Sequence, residues 1–509
     1  MTVLIGEPLS LDDVVKVASG DEKVALAAEV AARMGRARAV VEERAASGRA
    51  VYGITTGIGD LANVHIELGE AKDLQRDIVL SHATGVGPPL ATEIVRAMLL
   101  LKARTFAFGG SGVRVEIVHR LVQMLNEGIH PVVPSQGSLG ASGDLAPLAH
   151  LALPVIGRGR VEWRGETVPS LDALRSVGLE PIELSYKEGL SLVNGTEMML
   201  GIGILALARA RQIARSADIT GAMTLEACLG TDRAFDPDLV GVRKHPGALE
   251  SASNLRRLLE GSAIVASHRE SEHLVQDAYS LRCIPQVHGA YRDAFRYVEA
   301  TLQAEIDSIV DNPVVLPERD EVLSAGNFHG EALALALDHL GLCLAGFATI
   351  AERRVARLMD PDLNNGLPAF LTPDPGRRSG LMLVQYTAAA LVNENRGLCF
   401  PASSDSIPTS AGQEDHVSMG ATSARKALAI CRNTEQVIGI EALCAAQGLD
   451  LRRPLTPARG TGAAHDAVRE VSPFLDEDRP LSDELETMRE RVSSGTLARR
   501  VQDVVGSLE

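Results

Sequence analysis

Aromatic side chains are scarce in this chain of 509 residues, at 3% with a single tryptophan. Strands are enriched in aromatic and β-branched residues, whereas Ala and Leu, both good helix formers, are abundant here. The balance favours packed helices over sheets. Basic residues are also outnumbered, 50 Lys and Arg against 66 Asp and Glu, for a net charge of −16. That sign argues against nucleic acid or an anionic membrane as a partner. The six cysteines, Cys228, Cys283, Cys343, Cys399, Cys431 and Cys444, form no C-x-x-C pair and no regular framework. Most stand in apolar helical contexts, where a reduced, buried thiol is expected. Long apolar runs are missing as well: the uncharged stretch 198–208 has eleven residues, well short of the ~20 that cross a bilayer. The first residues, Met1-Thr-Val-Leu-Ile-Gly-Glu7, lack a basic region and a long apolar stretch, so no secretory signal is read there and the expected location is cytoplasmic.

What is present is an ordinary globular composition, 45% hydrophobic and 23% charged, enough to bury a large core. Ser10-Leu-Asp-Asp13 has the form of a capping box and Gly20 that of a C-terminal stop, which predicts a first helix. Further helices are predicted over about 22–46, 71–82, 92–108 and 115–126. After Asn194-Gly195 a run extends to about 229, followed by others over 280–310, 331–359, 381–395 and 423–447. Several exceed the usual ~10–14 residues, as the helices of a central bundle do. Small hairpins are expected around Arg164-Gly165 and over 314–323. No repeat, low-complexity tract or linker divides the chain. The reading is a mostly α protein with one continuous core: 1–190 as an N-terminal part, 191–450 as the long-helix bundle, and 451–509 as a helical tail.

The chemistry centres on Gly137-Ser-Leu-Gly-Ala-Ser-Gly-Asp-Leu-Ala-Pro-Leu-Ala-His150. Three small residues, Ala141, Ser142 and Gly143, stand between a glycine-rich turn and an apolar helical run, and Gly143 adds backbone conformations closed to other residues. In a bend that tight, the Gly143 nitrogen can close a five-membered ring on the Ala141 carbonyl carbon. Loss of water from the ring, then of the Ser142 hydroxyl, leaves an exocyclic methylidene, an electrophile that no side chain supplies. Other readings fit less well. A hydrolase elbow needs G-x-S-x-G, and Asp144 stands at its last position. The loop 51–59 matches neither a dinucleotide fingerprint nor a phosphate loop, and no H-E-x-x-H or similar set marks a metal site.

The fourteen-residue string resembles the signature of the aromatic amino acid ammonia-lyases, whose prosthetic group is 4-methylidene-imidazol-5-one (MIO). Further strings resemble the branch of that family that deaminates histidine: Tyr52-Gly-Ile-Thr-Thr-Gly57, Ser81-His-Ala-Thr-Gly85, Asn194-Gly-Thr196, Gln276-Asp-Ala-Tyr-Ser-Leu-Arg-Cys283, Gly326-Asn-Phe-His329 and Gln413-Glu-Asp-His-Val-Ser-Met419. The resemblance covers nearly the whole chain. It implies the all-α, fumarase/aspartase-like lyase architecture and a homotetramer whose active sites draw on more than one subunit. Thr55 and Ile58 stand where the family often has Asn and Phe, and Ala278 where it has Pro; none of these removes a group the chemistry requires.

Residue roles follow from that resemblance. Ala141, Ser142 and Gly143 form MIO, with no external cofactor and no metal, and Asp144 helps shape the loop for cyclisation. Tyr52 is placed as the base at the β-carbon, with Tyr279 and Glu414 as the other candidates; a tyrosine serves only where its phenolate is stabilised. Arg282 clamps the substrate carboxylate with its planar fork. Gln276 and Tyr279 orient the substrate, Asn194 hydrogen-bonds around the ring or the amine, and Phe328 packs against it. His82 and Glu414 bear on the substrate's ring. Each would be left desolvated and unpaired by benzene, at a cost of roughly 1–3 kcal/mol, and each can pair with imidazole. L-histidine to trans-urocanate is therefore the expected reaction. The rivals are tyrosine or phenylalanine ammonia-lyases, 2,3-aminomutases, and a helical scaffold that has lost catalysis. The scaffold would have eroded at Ser142, Tyr52 or Arg282, and all three are intact.

Overall fold

The computed structural model describes residues 2–47, 50–67, 69–271 and 275–509. Helices dominate it, and four are long: Glu197–Ala227, Ile284–Ile306, Glu331–Met359 and Gly420–Leu451. The Glu331–Met359 sequence accounts for its own helix. It is rich in Ala and Leu, with Glu331 in the first turn and Arg357 in the last, each matched to the sign of the nearer helix end. Its buried positions Leu333, Leu337, Leu340, Leu344, Phe347, Ala351, Val355 and Leu358 recur every three or four residues, which keeps them on one face. Among the described residues this is the one helix long and apolar enough to cross a membrane, and 67% of its apolar window is buried inside the protein.

The chain divides into two compact units. The first comprises Met1–Leu205, Glu299–Asp338 and Pro401–Arg425; the second comprises Ala206–Val298, His339–Phe400 and Lys426–Glu509. Four of the five boundaries fall inside the long helices, one in each, and the fifth lies at 400/401. In the first unit, a Cβ added at Gly203 would lie 2.8 Å from Leu337 and 2.9 Å from Leu302, so three of these helices approach closely where one has no side chain. In the second unit, Glu441 accepts hydrogen bonds from Thr220 (2.7 Å) and Thr224 (2.9 Å) and pairs with Arg354, whose Nη2 lies at 2.8 Å. Those groups are fully buried. They tie three helices together with polar contacts whose partners are specific.

Several helices match expectation to the residue, including Ala71–His82, Val115–Asn126 and Glu331–Met359. Ser10 and Asp13 form both halves of the capping box, and Gly20 ends that helix at φ 89°. The hairpins 160–163/166–169 and 314–316/321–323 are present. Two expectations are corrected. The helix expected from residue 22 starts at Val30, because Lys23–Leu26 is a strand paired in parallel with Thr2–Ile5. The run expected over 280–310 is two helices, Tyr279–Arg282 and Ile284–Ile306, parted at Cys283. All six cysteines are free thiols.

Candidate active site

The Ala-Ser-Gly loop lies in the first unit and is held from both sides. Gly140, Ser142 and Gly143 take positive φ, 86°, 52° and 75°. For Ser142 this left-handed conformation is costly and persists only where the surroundings impose it. The surroundings are the segment after Asn194: the Asp144 N–H donates to Gly195 O at 2.6 Å, and the Gly195 N–H donates to Ser142 O at 3.3 Å. On the other side the Met419 N–H donates to Leu139 O at 3.0 Å, and Ala141 packs with Val417 and Met419. A Cβ on Gly143 would stand 1.9 Å from Gly195 O, which leaves room for glycine alone.

Asp144 begins the helix Leu145–Ala152 but makes no side-chain bond to it. Its Oδ2 instead accepts the Met198 N–H at 3.0 Å and the Met199 N–H at 2.9 Å, the first free donors of the long helix Glu197–Ala227. Ser138 Oγ donates to Oδ1 at 3.4 Å. Burial pushes the Asp144 carboxyl up to about 7, with the nearby Glu197 charge adding to it, against the pull of the Met199 and Met198 N–H groups. Asp144 thus fastens the loop to the start of the 197–227 helix.

Asn194, 2% exposed, stands directly before the glycine that pairs with the loop. Its Nδ2 donates to Asp311 Oδ1 at 3.1 Å and to the Asn312 carbonyl at 3.2 Å. Its own carbonyl accepts Lys102 Nζ at 2.5 Å. Its Oδ1 is buried without a hydrogen-bond partner. Lys187, fully buried, reaches Asp311 Oδ2 at 2.7 Å and Ser191 Oγ at 2.9 Å.

Tyr52 sits in the tight turn 52–55, half-buried, and its Oη accepts the Gly59 N–H at 3.2 Å. The 59–63 turn touches the 410–412 turn. There Thr409 and Glu414 exchange backbone hydrogen bonds, and Thr409 Oγ1 donates to Glu414 Oε2 at 2.8 Å. His82 closes the helix Ala71–His82. Its Nδ1 lies 2.8 Å from Ile78 O, an atom that only accepts, so Nδ1 carries the hydrogen and Nε2 of the neutral ring is an acceptor. Burial holds His82 below its ordinary value, and the charge of Glu414 works against that shift. Phe328 is half-buried in the turn before Gly330, where an added Cβ would meet Met199 Cε at 2.7 Å.

Gln276, Tyr279 and Arg282 belong to the second unit. Ala278 has φ −63° and ψ 156°, and that φ is the one a proline there would impose. Tyr279 is 71% exposed. The Arg282 guanidinium lies over its ring at 4.8 Å, and Arg282 Nε is buried with no hydrogen-bond partner.

Residues 9–470 match the family model of aromatic amino acid lyases. The chain belongs to that family. Histidine ammonia-lyase of Gloeobacter violaceus is 50% identical over 507 residues, covering 100% of this chain and 98% of its own. Among solved structures, tyrosine aminomutase from Streptomyces globisporus superposes with a TM-score of 0.94 at 36% identity over 100% of both chains. Histidine ammonia-lyase from Trypanosoma cruzi does so at 0.91 and 40% identity, covering 99% of this chain and 95% of its own.

The residues the sequence did not single out are Asp311, Lys187, Lys102 and Glu197. Asp311 and Lys187 are 124 positions apart; the one local hint is an acid just before Asn312-Pro313.

Proposed function

We propose that the chain removes ammonia from L-histidine to give trans-urocanate, using MIO formed from Ala141, Ser142 and Gly143. The carrying observation is the loop itself. Its residues fit such a group: small side chains, a forced left-handed Ser142, and a Gly143 that has no space for a side chain. A buried Asn194 oxygen beside it lacks a partner. When formed, the group supplies an electrophilic methylidene carbon that makes the substrate's amine a better leaving group.

The chain's own residues do the rest. Tyr52, whose Oη accepts the Gly59 N–H, takes the β-proton in this reading. Arg282 binds the carboxylate in a forked contact, and Gln276 and Tyr279 orient the substrate. The exposure of Tyr279 and the orphaned Arg282 Nε fit side chains that complete a site on a neighbouring copy in a homotetramer. Phe328 packs beside the site. His82 offers Nε2 and Glu414 a carboxylate, so both are acceptors. The ring that satisfies both is an imidazole carrying hydrogen on each nitrogen, whereas a benzene ring leaves two desolvated acceptors, costing roughly 1–3 kcal/mol each.

The likeness to a tyrosine aminomutase keeps one second reading in view, turnover of tyrosine with retention of ammonia. Steady-state assays of the purified protein with L-histidine, L-tyrosine and L-phenylalanine separate the two. The expected result is urocanate and free ammonia, with L-histidine giving the highest kcat/KM. Faster consumption of L-tyrosine, or β-tyrosine as product, overturns the histidine reading.

A further inference from the structure

We propose that Asp311, ion-paired to Lys187, is a positioning residue that turns the Asn194 amide so that only its oxygen is offered to the substrate's amine. The proposal rests on the ammonia-lyase reading above. Its basis is a count of donors and acceptors. An amide nitrogen has two hydrogens, and both of those on Asn194 are taken, one by Asp311 Oδ1 (3.1 Å) and one by the Asn312 carbonyl (3.2 Å). Each of those partners can only accept, so the amide cannot be turned the other way without placing oxygen against oxygen.

Asp311 keeps that role because Lys187 Nζ lies at 2.7 Å from its other oxygen, with both side chains fully buried. Burial alone would favour the neutral acid, but the Lys187 and Lys102 ammoniums outweigh it and hold the Asp311 carboxyl below the usual range. The Asn194 side chain is therefore presented as a pure acceptor, 2% exposed, with Oδ1 unpartnered. A buried acceptor without a partner is costly, and an N–H of the bound ligand removes that cost. The backbone sets the location: Asn194 adjoins Gly195, whose N–H and C=O pair with Ser142 and Asp144 on either side of Gly143. An acceptor at that place meets the substrate end that must approach the Ser142-derived carbon, which is the amine.

The test uses the full-length enzyme and Asp311→Asn, which conserves size and still gives Lys187 an oxygen. Its new NH2 group stands where Oδ1 accepts the Asn194 Nδ2–H and the Asn312 N–H, so Asn194 loses the acceptor that fixes its amide and its oxygen is no longer held toward the substrate. With L-histidine, kcat is expected to fall roughly 10- to 100-fold, the factor that goes with a lost hydrogen bond to a charged group. Melting temperature and the mass of the 141–143 peptide should match wild type. A second readout needs no turnover. In a Ser142→Ala background, Asp311→Asn should weaken L-histidine binding by a similar factor and leave trans-urocanate, which has no amine, bound as before. The proposal is overturned by a kcat within about twofold of wild type or by equal loss of urocanate affinity. An Asp311→Asn peptide that keeps both waters also overturns it, since Asp311 would then act in ring closure. A wild-type peptide at full mass, or wild type without action on L-histidine, is a failure of the functional reading instead and appears before any variant is made.

Discussion

Replacing Asp144 with asparagine should make the protein relatively more stable as pH rises. The side chain is wholly buried, and its carboxyl is pushed from an ordinary 3.8 up to about 7. Between those values the folded chain holds a proton that the unfolded chain has released. The stabilisation is therefore complete below the ordinary pKa and is lost as pH climbs through 7. The slope is about 1.4 kcal/mol per pH unit, which over some three units amounts to about 4 kcal/mol. The Asp144→Asn substitution preserves the local bonding: the amide oxygen can accept the Met198 and Met199 N–H groups that Oδ2 accepts now, and the amide NH2 can face Ser138 Oγ. The amide has no charge to bury at any pH. Unfolding entropy of about 2.1 cal/mol/K per residue makes 1 kcal/mol worth about 1 °C in a chain of this length. The Tm of Asp144→Asn, measured against wild type at the same pH by scanning calorimetry, should thus gain about 4 °C between roughly pH 4 and pH 8. A Tm difference that stays flat or shrinks over that range would mean that Asp144 is ionised throughout and that the N–H groups outweigh its burial.

Gly143→Ala should give a helical protein that lacks activity and whose 141–143 peptide has full mass. The new methyl would sit 1.9 Å from Gly195 O, and relieving that parts two hydrogen bonds worth ~0.5–1.5 kcal/mol each; peptide mass spectrometry decides, and loss of both waters in the variant would refute the argument. Glu414→Gln should lower kcat/KM for L-histidine by about 10- to 100-fold with little change in Tm, because the half-buried side chain is tied mainly to its neighbour Thr409; a lowered Tm with an unchanged rate per folded molecule would make it a structural acid. His82→Leu, in the same assays, should raise the ratio of L-phenylalanine to L-histidine turnover, and an unchanged ratio would remove His82 from ring recognition. Arg282→Lys keeps the charge and loses the fork, so kcat/KM should drop clearly; wild-type kinetics there would return Arg282 to a stacking partner of Tyr279.

The parts of this molecule that local patterns govern were legible in the sequence. Ser10, Asp13 and Gly20 bound the first helix because caps act within four residues, and Glu331–Met359 was read end to end from its Ala/Leu pattern. Lys23–Leu26 was misread because its strand exists only through pairing with Thr2–Ile5, twenty-one residues earlier in register. The same divide runs through the site. The run 137–150 announces its chemistry in consecutive residues. The forced φ of Ser142 does not, since Gly195, more than fifty positions away, imposes it. Asp144 stands at the start of one helix and instead caps another, the helix from Glu197. Lys187, Asp311 and Asn194 meet across 124 and 117 positions, and nothing in the sequence marks a lysine as buried.

The central claim is that Ala141, Ser142 and Gly143 become an electrophile without any added cofactor. Proteolysis and mass spectrometry of the purified wild-type protein test it most directly. The account predicts a peptide spanning 141–143 that is lighter than its sequence by two water molecules, and a Ser142→Ala peptide that is not lighter by two. A wild-type peptide at full sequence mass in protein that deaminates L-histidine would contradict it.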